Sequence, residues 1–153
     1  MKERRMIKRI QGDGGFTLVE ILVAIGILVF GLLAVGTMQI SAIRGNFFGG
    51  NTSIALTLAS EKMEDLLNRN WDDATLADTT TANNADLLSI TTVDHQEGVT
   101  EDGQVVAAGS GFYRRVWNVA DSAAPLPTSK AMTIVVTWEG DKHRVTVSSF
   151  RMP

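Results

Sequence analysis

The sequence contains no cysteine and only two histidines, His95 and His143. Without cysteine there is no disulfide, no thiolate nucleophile, no iron–sulfur cluster and no cysteine zinc site, and two histidines leave little room for a histidine metal centre. A Walker-type phosphate loop, an HExxH motif and a GxSxG motif are also missing. We therefore predict that the chain is not an enzyme, with no catalytic residue, no metal site and no cofactor.

Positive charge is in deficit as well, because the 153 residues carry 14 Lys and Arg against 17 Asp and Glu. This acidic balance disfavours a general nucleic-acid binder, which needs a basic face. The charges are unevenly distributed. Residues 1–15 hold five basic and two acidic residues, residues 16–43 hold Glu20 alone, and residues 44–153 hold nine basic and fourteen acidic residues.

Residues 21–43 form a run of 23 uncharged, mainly apolar residues. As an α-helix this run is about 34 Å long, enough to cross a hydrocarbon core of about 30 Å. A chain of 153 residues offers too little protein to bury such a helix in a soluble core. Because the basic segment 1–15 precedes the run, we predict a single-pass helix with the N-terminus in the cytoplasm and residues 44–153 outside.

A secretory signal peptide is the competing interpretation of the same region. Its cleavage site would be a small-x-small sequence such as Ala34-Val35-Gly36. The apolar run is longer than the usual h-region of about 7–15 residues, and Glu20 places a carboxylate at its start. Both features favour a retained membrane helix, and a soluble exported binding domain is the less favoured alternative.

The junction before the apolar run reads Gly14-Gly15-Phe16-Thr17-Leu18-Val19-Glu20. It resembles the prepilins of type IV filaments, in which a short basic leader ends in Gly and Phe-Thr-Leu-x-Glu opens an apolar helix. Residues 26–39 look like minor pilins of the PilV type, and the similar minor pseudopilins of type II secretion share this stretch only in part. The resemblance is strong over residues 1–45 and looser beyond them.

That resemblance implies that a prepilin peptidase cuts between Gly15 and Phe16, leaving Phe16 as an N-methylated terminus. Gly15 suits this role because a residue without a side chain lets a protease approach the backbone. The resemblance also gives Glu20 a role in subunit docking. An intramembrane carboxylate usually has a partner, here the free amine of Phe16 of the same or a neighbouring subunit. The alternative is that Glu20 only snorkels to the membrane interface.

The leading functional hypothesis is a minor pilin that initiates or modifies a type IV pilus. Such a protein resides in the bacterial inner membrane, with its C-terminal domain periplasmic or external, and then in the pilus filament. The implied partners are the prepilin peptidase, other major and minor pilins or pseudopilins, the inner-membrane assembly platform and the lipid bilayer, without nucleic acid. A minor pseudopilin of a type II secretion system is the alternative.

The predicted fold is α+β and pilin-like, with a helix over about residues 16–69 whose C-terminal half packs on a small antiparallel sheet. Gly49-Gly50 is the place for a bend. The amphipathic half has an apolar face of Leu56, Ala59, Met63, Leu66 and Leu67. We expect four segments: a cleaved leader at 1–15, a transmembrane assembly helix at 16–43, its amphipathic continuation at 44–70, and an extracytoplasmic loop and sheet at 71–153.

Alternating apolar residues predict the strands of that sheet. Residues 132–138, a turn at 139–142 and a strand around Val145 and Val147 form a hairpin, after a loop marked by Pro125 and Pro127. A third strand at 111–119 has Tyr113, Arg115, Trp117 and Val119 on one face, and residues 87–93 form a fourth. The tryptophans are assigned to the core or the sheet edge, and Arg114-Arg115 to a paired surface charge.

The segment 72–86 is predicted to be a long loop between helix and sheet. Its aspartates could ligate Ca²⁺ through oxygen, but their spacing matches no loop template such as the EF-hand. These aspartates are Asp72, Asp73, Asp78 and Asp86.

Overall fold

The computed structural model describes residues 15–122 and 129–153, and their fold is α+β and pilin-like as predicted. A single α-helix in this part of the chain, α1, spans Leu18–Asn68. The strands are β1 His95–Val99, β2 Val105–Val106, β3 Tyr113–Asp121, β4 Lys130–Trp138 and β5 His143–Arg151. The leader residues 1–14 and the prolines Pro125 and Pro127 lie outside the described residues.

The chain divides into two compact units, Met1–Gly45 and Asn46–Pro153, so the boundary falls within α1. The backbone remains helical through Gly49 and Gly50, which confirms one continuous helix close to the predicted bounds. The first unit contributes the apolar part of α1. The second unit, called the head below, contains the rest of α1 and the sheet.

The sheet of the head is antiparallel throughout, in the order β2-β1-β3-β4-β5. Strands β4 and β5 form the predicted hairpin, with Trp138 opposite His143 next to the turn. In that turn Glu139, Gly140 and Asp141 all have positive φ. Strand β3 confirms the predicted third strand, shifted by two residues toward the C-terminus.

Residues 87–93 do not form the predicted strand, because their backbone is engaged by side chains from elsewhere. The buried amide of Asn118 donates to the carbonyl oxygens of Leu87 and Ser89, both at 2.9 Å. The N–H of Leu88 donates to the Asp86 carboxylate at 3.1 Å. On the side of β3 that faces away from β4, the neighbouring strand is β1, which begins two residues after this segment.

The head part of α1 packs against one face of the sheet, with a buried face that differs from the predicted one. Ala59, Met63 and Leu66 are buried as expected, but Leu56 is 49% and Leu67 36% exposed. Ala55 and Leu58 are buried in their place. The core that this helix face shares with the sheet includes Val99, Tyr113, Trp117, Val119, Met132, Ile134, Val136 and Trp138.

Arg115 was predicted to be a surface charge, and that prediction is wrong: it is 6% exposed, at the interface between α1 and the sheet. Its Nε donates to Glu97 Oε1 at 2.7 Å, and its Nη1 donates to the carbonyl oxygen of Leu58 at 2.9 Å. Lys62 Nζ lies 3.3 Å from the same Glu97 oxygen and 4.2 Å from the centre of the Trp117 ring. A carboxylate between two cations therefore joins helix and sheet.

The predicted loop 72–86 contains two short 3₁₀ helices, Ala74–Leu76 and Thr81–Asn83. Asp73, Asp78 and Asp86 act as local hydrogen-bond acceptors. Asp73 caps the first 3₁₀ helix by accepting from the Thr75 N–H at 2.8 Å, and Asp78 accepts from Asn84 Nδ2 at 2.7 Å. In the described parts of the chain, no group of three or more His, Asp or Glu side chains could hold a metal ion.

Candidate functional site

The predicted site residues Gly15, Phe16 and Glu20 lie at the start of α1, where Thr17 is the residue before the first helical turn. The Glu20 N–H donates to Thr17 Oγ1 at 3.2 Å, and the Thr17 N–H donates to Glu20 Oε2 at 3.4 Å. This reciprocal arrangement is a capping box, which satisfies two backbone donors that a helix start otherwise leaves free. The carboxylate of Glu20 is thereby held back toward Phe16 and the beginning of the helix.

Glu20 also belongs to an otherwise apolar face of α1. Together with five apolar side chains it lines an open groove of about 340 Å³ along the helix surface. The apolar members recur at the three- and four-residue spacing of one helix face. They are Phe16, Ile21, Ala24, Ile25 and Leu28.

The large apolar side chains of the first unit are exposed, from Phe16 at 79% to Ile43 at 69%. The most apolar stretch of α1 has a mean hydropathy of 2.9, and none of it is buried. In length and composition α1 is able to cross a membrane. Exposed apolar surface of this extent requires lipid or other helices around it, because monomeric soluble proteins rarely leave such patches in water.

Residues 11–36 match the family model described as the prokaryotic N-terminal methylation motif. The match supports a type IV pilin-like prepilin. It covers the junction residues Gly15 and Phe16, the capping box and most of the apolar stretch. No curated protein and no solved structure matches the chain.

The methylation motif carries further general implications for the chain. Proteins with this motif are generally structural rather than enzymatic, and they are processed by a prepilin peptidase and assembled with other pilins. Together with the apolar helix, the motif indicates membrane anchoring.

The structure brings the sequence-predicted residues Phe16 and Glu20 to one groove, next to Gly15. An added Cβ at Gly15 would meet no described atom within 4 Å. In the unprocessed chain the nitrogen of Phe16 is a peptide amide, so its pairing with Glu20 as a free amine stays a prediction, as do the cleavage itself and N-methylation. Thr17 is the one member of this group that the sequence-based reasoning missed, although Thr-x-x-Glu before an apolar run is a recognisable capping signal.

The two histidines lie in the head, against aromatic rings. His95 stacks on Trp117 with 5.1 Å between ring centres, and its Nε2 lies 3.0 Å from the Ala77 carbonyl oxygen. His143 packs edge-on against Phe48 at 5.1 Å. Both contacts position loops and strand ends within the head.

Asp94 organises the loops between α1 and β1. One of its carboxylate oxygens accepts from the Val119 N–H at 2.8 Å and from Asn83 Nδ2 at 3.0 Å, and the other accepts from the N–H groups of Thr79 and Thr80. Burial by itself raises the pKa of Asp94, but these hydrogen bonds outweigh it and leave that pKa below its usual value. Asp94 is therefore held as an anion in the head.

Proposed function

We propose that this chain is a minor pilin, which enters a type IV pilus through its N-terminal helix and takes part in initiating or modifying that filament. The observation that carries the proposal is the combination of the methylation motif at residues 11–36 with an exposed apolar helix holding Glu20 as its only charged residue between 16 and 43. A helix of this kind is suited to a lipid bilayer first and to a bundle of similar helices afterwards.

Processing is the first step of the proposed function. The leader carries five basic residues, which hold it at the cytoplasmic membrane surface. Cleavage between Gly15 and Phe16 by the prepilin peptidase removes all of them. The remaining helix keeps only the Phe16 terminus and Glu20 on the cytoplasmic side, so much less charge opposes its withdrawal from the bilayer into a filament.

Docking is the second step. After cleavage Phe16 carries a free, N-methylated amine, directly before the Thr17–Glu20 capping box. Because the box holds the Glu20 carboxylate at the first turn, that carboxylate can accept a charge-assisted hydrogen bond from the Phe16 amine of its own or a neighbouring chain. In an apolar bundle such a pair fixes the axial position of one helix against the next, since an unpaired carboxylate there is costly.

The head acts outside the membrane, where it contacts other pilins or displays a binding surface. Its interior is filled by side chains packed against one another or paired, as with Glu97 between Lys62 and Arg115. We assign it no catalysis.

Replacement of Glu20 by alanine tests the proposal. The Glu20→Ala chain should be cleaved and remain in the membrane, yet its amount in purified filaments should fall at least tenfold. Glu64→Ala is the matched control, because it removes an exposed carboxylate from the head part of α1. Normal incorporation of the Glu20→Ala chain would remove Glu20 from the mechanism.

A minor pseudopilin of type II secretion is the alternative assembly, since the methylation motif is equally compatible with it. Deletion of the gene separates the two. Loss of surface pili with normal secretion supports the pilus, whereas loss of secretion with normal pili assigns the chain to the secretion filament.

A further inference from the structure

The head follows the apolar run of α1 almost directly. The run ends at Ile43, and the head begins at Asn46. Phe48 lies five residues past the run, which corresponds to about 7.5 Å of helix, roughly the depth of one lipid headgroup layer. The Phe48 end of the head is therefore the end next to the membrane that holds α1.

The turn between β4 and β5 lies at this same end of the head. The Phe48 ring is 5.1 Å from the His143 ring and 6.2 Å from the Trp138 ring, and these two residues flank the turn. From His143, β5 runs to the opposite end of the head, where Arg151 donates to the Leu66 carbonyl oxygen. Because Phe48 and Leu66 are separated by about 27 Å along α1, the β4–β5 turn is on the membrane side of the head.

Two exposed cations, Lys142 and Arg144, lie at the start of β5. The head carries eight basic residues, of which five pair with carboxylates and Arg151 donates to a backbone carbonyl. Within the described ranges, Lys142 and Arg144 make no ion pair within 4.0 Å. Lys142 belongs to the turn and Arg144 follows one residue after His143, so their long side chains can reach past the end of the sheet.

The side chains around this turn are positive in sum, although the head carries eight basic and fourteen acidic residues. Glu139 lies 3.5 Å from His143, and Asp141 pairs with Arg114 at 3.2 Å. With the two exposed cations at the start of β5 added, and the histidine neutral, this group keeps one net positive charge. Its sign is opposite to that of the whole head and complementary to an anionic surface.

The exposed acids of the turn between β1 and β2 lie further along α1. Glu101 and Asp102 line a groove together with Thr57 and Glu61 of that helix. Thr57 is about 13 Å beyond Phe48 along α1, which exceeds the screening length of about 8 Å at physiological ionic strength. These acids therefore do little to cancel the positive charge of the β4–β5 turn at the membrane surface.

We propose that Lys142 and Arg144 bind anionic phospholipid headgroups of the membrane that holds α1. Phe47, which is 55% exposed and precedes Phe48, adds an apolar contact at the level of the headgroups. Each basic side chain near an anionic membrane surface strengthens such a contact about fivefold. The contact holds the head against the bilayer for as long as the chain stays in the membrane. The proposal rests on the membrane anchoring of α1 and not on a role in a pilus.

Fluorescence quenching in vesicles tests this contact, and the absence of native cysteine makes every introduced thiol unique. Full-length chains carry a fluorophore either at Ser110→Cys, which lines one pocket with Gly140 and Asp141 of the turn, or at Ser148→Cys, about 16 Å beyond His143 on β5. The vesicles contain a phospholipid with a nitroxide quencher on its headgroup, in phosphatidylcholine with or without phosphatidylglycerol. With phosphatidylglycerol, position 110 should be quenched several-fold more than position 148, and without it this difference should largely disappear.

Removal of the two cations supplies the second test. Lys142→Gln/Arg144→Gln should lower the excess quenching at position 110 by about fivefold or more, because both attractions to the anionic surface are lost. Asn68→Asp/Asn70→Asp is the matched control. It changes the net charge by the same amount at exposed positions near the opposite end of the head, and it should leave the excess quenching unchanged.

Equal quenching at the two positions, the same difference in both lipid mixtures, or no effect of the Lys142→Gln/Arg144→Gln change would overturn the proposal. A difference that appears only at high protein density would overturn it too, and would assign the turn to contact between copies. Flotation with the vesicles measures anchoring separately: a chain that does not float contradicts anchoring as well, whereas a floating chain without the difference contradicts the headgroup contact alone. The assay needs neither leader cleavage nor a filament, so its failure is distinguishable from failure of the proposed pilin function.

Discussion

Thr17 and Glu20 hydrogen-bond each other reciprocally at the start of α1, the Thr17 N–H to the Glu20 carboxylate and the Glu20 N–H to the Thr17 hydroxyl. The carboxylate proposed to dock subunits is thus also a helix cap. The two roles depend on different properties. Capping needs an oxygen acceptor, whereas pairing with an amine inside an apolar bundle needs the negative charge.

Glu20→Gln separates those roles, because glutamine keeps the acceptor of a capping box and loses the charge. We expect normal cleavage of this chain but at least tenfold less of it in filaments. Thr17→Val, which removes the capping hydroxyl and keeps the carboxylate, should weaken the helix start by about 1 kcal/mol and reduce incorporation less than threefold. Quantitative immunoblots of sheared filaments and of membranes measure the cleavage and the incorporation of each variant. The reverse ranking of the two variants would make capping the function of Glu20.

Gly15 is expected to be needed by the peptidase rather than by the fold. Since an added side chain would meet no described atom within 4 Å, Gly15→Leu should leave the folded chain intact and block leader cleavage. Intact-mass measurement on membrane-extracted protein should then find the full-length chain only. Complete processing of the Gly15→Leu chain would place the cleavage site elsewhere.

Glu97 is expected to dominate the junction of helix and sheet. Glu97→Gln leaves Lys62 and the buried Arg115 without their shared carboxylate, which should lower the free energy of unfolding by about 2–3 kcal/mol. Denaturant unfolding of the detergent-solubilised chain, followed by tryptophan fluorescence, measures this. The exposed Glu64→Gln should change stability by less than about 0.5 kcal/mol. An equal effect of the two variants would show that the buried charges are not coupled.

Asp94 should make the stability of the head dependent on pH. Its pKa is lower in the folded chain than in the unfolded chain, so its contribution is complete above the unfolded pKa of about 3.9 and is lost as the pH falls through the folded pKa. Asp94→Asn should be destabilised at pH 7, because an amide nitrogen would face the Val119 N–H or the backbone donors of Thr79 and Thr80. The difference in the free energy of unfolding between wild type and variant, measured by denaturant unfolding at several pH values, should become smaller in acid. A gap independent of pH would exclude the charge of Asp94 as the cause.

Much of this fold is predictable from local sequence. The β4–β5 hairpin follows from strict alternation and a turn containing Gly140, and the length of α1 follows from its apolar run and the repeat that continues it. The junction from Gly15 to Glu20 is recognisable because its residues are consecutive. The capping role of Thr17 was equally readable from the Thr-x-x-Glu spacing.

The features that sequence could not reveal depend on residues far apart in the chain. Residues 87–93 are rich in Leu, Ile, Val and Thr, but the side-chain amide of Asn118 from β3 donates to two of their carbonyl oxygens. Arg115 looks like a surface charge until β1 brings Glu97 beside it. The buried face of α1 includes Ala55 and Leu58, and the sheet residues that share its core lie far along the chain from the helix.

The mass and N-terminal sequence of the native mature protein test the central claim most directly. We predict a chain that begins at Phe16, carries one methyl group on its terminal amine and is recovered from filaments as well as membranes. A native protein that retains residues 1–15, or a soluble one that begins near Thr37, would contradict it.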